Sequence, residues 1–174
     1  MNNRFSLKAV LSSFSEDSGL DNTQVFGMLK ISIEKGTISL DELKKELDNS
    51  IVNECDWVKL ASETNLLEDP TLYSNQELIN YVKMWLWDYL YPEKALTENQ
   101  IEELEQDVVA ILKGCSENRD WMFSYDLYDV LKEDKKYKDL EYYNLWKLDF
   151  YDSNIERKPI EEEYQEIGYL RYKK

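Results

Sequence analysis

The chain has 174 residues, with 36 acids against 21 bases, no histidine and a net charge of −15. That charge excludes nucleic-acid binding, which needs clustered Lys and Arg to displace counterions from phosphate, and it argues against an anionic membrane surface. Without histidine, Ser-His and Cys-His pairs and most zinc sites are excluded, and five scattered glycines build neither a GxxxxGK nor a GxGxxG loop.

Apolar residues at 43%, with few glycines and only three prolines, favour helices. The fold expected is all-α, one compact multi-helix domain over residues 1–174. A small C-terminal β-hairpin is allowed, and residues 136–174 form a candidate appendage. Cys55 and Cys115 lie far apart and in no CxxC pattern. With no secretory leader in MNNRFSLKAVLSSFSED, they read as reduced, buried thiols of a cytoplasmic protein. No stretch approaches the roughly twenty apolar residues of a spanning helix.

In chain order, Leu7, Val10, Leu11 and Phe14 have the spacing of a short amphipathic helix. Asp21 and Gln24 predict a capping box for a second helix carrying Val25, Leu29 and Ile33, ended by Gly36. Ser39 and Glu42 open a third, whose apolar positions run from Leu40 to Val58 with a candidate break at 48–50. GTISLDEL (36–43) imitates half of an EF-hand loop. Its first half, however, would place Ile31, Ile33 and Lys35 where calcium needs oxygen ligands, so no metal is expected.

Ser74 and Glu77 cap a helix that is apolar nearly all round, through Leu78, Val82, Leu86 and Leu90, and Pro92 ends it. Thr97 and Gln100 open the next. Its buried stripe is Ile101, Leu104, Val108, Ile111 and Leu112, and Gly114 stops it. Glu98, Glu102 and Glu105 form one row on this helix, Glu103 and Asp107 another. Such like-charge spacing costs about 0.2–0.5 kcal/mol per pair, so retaining it is mild evidence for use. DWMFSYDLYDVLKED reads as a further helix with Met122, Leu127, Val130 and Leu131 inward. Residues 135–152, KKYKDLEYYNLWKLDFYD, fit helix and strand alike. The tail beyond Pro159 fits a helix through Ile160, Tyr164 and Ile167, or a hairpin edge.

Acidity is uneven: residues 63–134 hold seventeen acids and five bases, whereas 1–62 hold ten and seven and 135–174 nine of each. The segment DWMFSYDLYDVL adds rings to that charge. Asp120, Asp126 and Asp129 lie beside Trp121, Tyr125 and Tyr128, and Tyr and Trp are enriched at protein interfaces. Together with Glu98, Glu102, Glu103, Glu105 and Asp107 they are the candidate partner-binding residues, facing a basic protein. No residue is assigned a catalytic, cofactor-binding or metal role, and the expectation is a non-enzymatic binding protein.

In that overall character, small, acidic, ring-rich and motif-free, the chain resembles the immunity proteins of bacterial toxin systems, including contact-dependent growth inhibition. The resemblance implies a cytoplasmic inhibitor of a cognate basic toxin domain, often a nuclease. Two other readings stay open: a phage-type DNA mimic with carboxylates in an extended strip, and a regulatory interaction module whose acidity is incidental. Oligomeric state is not legible.

Overall fold

A computed structural model describes residues 6–53, 55–115, 121–160 and 167–173. The protein is predominantly helical with a small antiparallel sheet, and it divides into two compact units, Met1–Ile79 and Asn80–Lys174. The first holds fourteen acids and seven bases, the second twenty-two and fourteen. By net charge the units therefore carry −7 and −8, so the acidic middle segment is not a unit of its own. No helix of the described residues is long and apolar enough to cross a membrane.

The first unit is built from α1 (Ser6–Ser13), α2 (Asn22–Glu34), α3 (Leu40–Val52) and α4 (Trp57–Thr64). The caps follow the sequence closely. Asp21 and Gln24 exchange backbone and side-chain hydrogen bonds at 2.8 and 3.0 Å. Gly36 takes a φ of +71°, which costs a residue without Cβ little. It thereby ends α2 with Gly36 N–H donating to Ile33 O and Thr37 N–H to Ser32 O. Helix α3 runs unbroken through 48–50, and the interruption falls later, between Val52 and Trp57. There Asp56 caps α4 by accepting from Lys59 N–H, and the Trp57 indole donates to Ser50 O at 3.1 Å. Leu11, Leu43, Leu47 and Trp57 are at most 1% exposed and form the centre of this unit.

Helix α5 (Asn75–Val82) opens on the predicted box: Ser74 N–H donates to Glu77 Oε2 at 2.7 Å and Glu77 N–H to Ser74 Oγ at 3.2 Å. Its path continues through a π turn (Lys83–Trp87) into α6 (Asp88–Leu90), ahead of Pro92. Leu78, Val82, Leu86 and Leu90 are all buried although they recur strictly every four residues. In a plain α-helix that spacing drifts around the axis. The wider π turn takes up the drift and keeps the stripe aligned.

The second unit adds α7 (Glu98–Cys115), β1 (Met122–Phe123), α8 (Ser124–Glu133), β2 (Ile155–Lys158) and β3 (Tyr169–Tyr172). Strand β3 is central and antiparallel to both neighbours, with Met122 opposite Leu170 and Ile155 opposite Tyr172. Three expectations need correction. Residues 122–123 are strand, not helix, because their backbone is taken up by β3. Gly114 does not stop α7, which passes through it to Cys115. Val130 is 40% exposed rather than inward.

Residues 135–152 are neither α-helix nor strand but include two 3-10 turns, Lys135–Tyr137 and Tyr142–Lys147. Tyr137, Leu140, Leu145, Ile155 and Leu170 share one core with Leu104, Val108, Leu127 and Leu131. Tyr164 lies outside the described residues. Cys55 and Cys115 are free thiols, partly exposed rather than buried.

A candidate docking surface on the second unit

Helix α7 separates its acids into two rows because its apolar stripe, centred on Leu104, Val108 and Leu112, lies between them. One row is neutralised within the chain. Lys136 Nζ lies 3.1 Å from Glu103 Oε2 and 3.0 Å from Asp107 Oδ2, and the Tyr137 hydroxyl donates to the same Asp107 oxygen at 2.6 Å. These hydrogen bonds, Tyr137 first and Lys136 second, hold the Asp107 carboxyl below its ordinary range. The Lys136 ammonium is raised by its bond to Asp107, and burial pushes the Tyr137 phenol up to about 12. This network joins α7 to the turn after α8, and its acids are occupied structurally.

The other row is different. Among the described residues Glu98, Glu102 and Glu105 make no ion pair, and Glu98 and Glu102 are exposed. The same holds on α8 for Asp126 and Asp129, both exposed. Five of the candidate acids are thus available to a partner, and Glu103 and Asp107 are not. Asp120 lies outside the described residues.

The rings also divide, and the strand at 122–123 is the reason. In a strand alternate side chains point to opposite faces. Met122, opposite the fully buried Leu170, packs on the core, while Phe123, opposite Tyr169, meets that ring on the other face, centroids 5.3 Å apart. Trp121 takes the Arg171 guanidinium 4.2 Å from its ring centroid, and Arg171 in turn donates to Glu156 at 2.6 Å. Tyr125 and Tyr128, one turn into α8, go inward instead. Tyr125 stacks on Tyr142, and the Tyr128 hydroxyl donates to Leu140 O at 3.0 Å. Burial, then the Glu141 and Asp129 carboxylates, raise the Tyr128 phenol.

What remains outward is a groove of about 640 Å³ whose rings are Trp121, Phe123 and Tyr169 and whose carboxylate is Asp126, with Gly114, Cys115 and the part of Met122 not packed on the core completing its lining. The chain matches no family model, no curated protein and no solved structure. Chemically, such a groove suits the aliphatic stem of a Lys or Arg laid along rings, its charged head meeting Asp126. Among the described residues, no group of three Cys, Asp or Glu side chains is placed to hold a metal.

The sequence pointed to Trp121, Asp126 and Asp129 but missed Phe123 as an outward wall, and missed Tyr169 altogether. Two aromatics within WMF are a fair strand signal. Its partner strand lies far along the chain, and no local pattern identifies that pairing.

Proposed function

We propose that this protein is a non-enzymatic acidic inhibitor that neutralises a basic protein partner, acting as a cytoplasmic immunity protein against a cognate bacterial toxin domain, with a nuclease as the fitting toxin class. The observation that carries the reading is the pairing of an aromatic groove with exposed carboxylates that have no internal partner. Asp126 lines that groove, Asp129 follows on the same helix, and Glu98, Glu102 and Glu105 extend the acidity along α7. Carboxylates of this kind steer a cationic partner over distance, and the rings fix it once bound.

The test is to co-express the chain with the product of the neighbouring open reading frame, scored for toxicity, followed by association kinetics on the purified pair. Relief of toxicity is expected, with an association rate that falls steeply as salt rises while dissociation changes little. Unrelieved toxicity, or association indifferent to salt, overturns the reading. Release of the captured partner by duplex DNA instead points to a DNA-mimicking decoy.

A further inference from the structure

Residues 22–29 of α2 read NTQVFGML, a stretch without a charge in a chain where 33% of residues are charged. Val25 and Leu29 supply its buried side. The opposite side is exposed and equally uncharged. Thr23, Gly27 and Ile31 form one row at a spacing of four, and Gln24 and Met28 form the row beside it. Met28 is 51% exposed and Ile31 50%. A surface helix normally turns polar and charged residues to water. This one turns two large apolar side chains outward. Beside Met28 lies a groove of about 80 Å³ shared with α1, lined by Val10, Ser13 and Ile38 among others and by no charged group.

Gly27 is an independent observation. It sits in the middle of a 13-residue helix, where glycine costs stability relative to alanine. Its φ is not positive, and a Cβ placed on it would meet no atom of the described residues within 4 Å. Neither backbone conformation nor packing within the chain calls for glycine here. A second backbone brought close to the helix does.

The ends of α2 decide what occupies this face. Asp17 and Asp21 stand at its N-terminal end. Lys30 and Lys35 stand toward its C-terminal end with Glu34 between them, and all five are exposed. The first end is negative and the second slightly positive, so the helix complements an antiparallel copy of itself and not a parallel one.

We propose that two copies of this chain associate through α2, packed antiparallel and crossing near Gly27. Centred there, Met28 of each copy covers the space over Gly27 of the other, and Asp21 comes level with Lys35. Contact along one helix buries less than about 1,200 Å² in total, the size of a weak, reversible interface. The face lies in the first unit and the docking groove in the second, so either can fail without the other.

Sedimentation velocity of the intact chain over a concentration series tests the proposal. A monomer–dimer equilibrium with a Kd of about 10–100 µM is expected. Ile31→Glu should weaken it about tenfold or more. Val52→Glu, which adds the same charge at a residue 77% exposed on α3, should leave it within about twofold. Gly27→Ala should raise the melting temperature in dilute solution and yet loosen the dimer about fivefold, because the added Cβ favours the helix but holds its copy away. Lys35→Glu should loosen the dimer, and adding Asp17→Lys, which restores the net charge, should recover it. Circular dichroism verifies the fold of each variant. A chain that stays monomeric up to about 1 mM overturns the proposal. So do equal effects of Ile31→Glu and Val52→Glu, a dimer indifferent to Gly27→Ala, or no recovery in the double charge variant.

Discussion

The ring of Tyr125 lies flat on that of Tyr142, centroids 4.1 Å apart and planes within 7° of parallel. Tyr142 also meets Tyr128 edge-on, and its hydroxyl shares a hydrogen bond with the fully buried Ser124 at 2.8 Å. Half of the aromatic character of residues 120–131 is thereby spent inside the second unit. Tyr125→Ala is expected to destabilise by about 2 kcal/mol, because a stacked, half-buried ring is lost. The salt dependence of partner association should stay as in the parent. Thermal melts and association kinetics on the same variant check both halves.

The two acid rows of α7 predict opposite phenotypes. Charge reversal at Glu98, Glu102, Asp126 and Asp129 together should slow partner association about tenfold or more at low salt, and much less near 0.5 M salt. Glu103→Gln and Asp107→Asn should instead lower stability and leave the association rate within about twofold. Stopped-flow association at two ionic strengths separates the rows.

The Asp107 network gives a pH dependence of defined sign. Its carboxyl sits below the ordinary value of 3.8, chiefly through the Tyr137 hydroxyl and then Lys136. A group with a depressed folded pKa contributes stability that is present above the unfolded value and lost as pH falls through the folded one. The urea midpoint should therefore drop on acidification below about pH 4, and Asp107→Asn should flatten that drop. Tyr137 works at the other end. Its phenol is raised from 10.0 to about 12, so its contribution is complete below pH 10 and is lost as pH rises toward 12. Tyr137→Phe should remove that alkaline loss.

Of the five glycines, Gly168 is the one with no room for a side chain. Its φ is +81°, and a Cβ there would run into the carbonyl oxygen of Lys158 and the Cα of Pro159. Gly168 O also accepts from Ser124 N–H at 2.8 Å, holding the start of α8 to the sheet. Gly168→Ala is expected to cost more than about 2 kcal/mol, since both backbone strain and a steric clash are introduced. Denaturant unfolding measures it, with Gly19→Ala, where a Cβ meets nothing within 4 Å, as the milder comparison.

Local chemistry alone determined much of this protein. The box residues Asp21 and Gln24, Ser74 and Glu77, and Thr97 and Gln100 each form the predicted reciprocal bonds, because a cap is decided by neighbours three residues apart. The buried stripes of α3 and α7 and the stop at Gly36 were legible for the same reason. Tertiary structure alone decided which acids and which rings face outward. Glu103 and Asp107 are taken by Lys136, and Trp121 and Phe123 are turned over by pairing of β1 with a strand from the C-terminal end of the chain. Both depend on contacts between distant segments, and a 3.6-residue period carries no record of those.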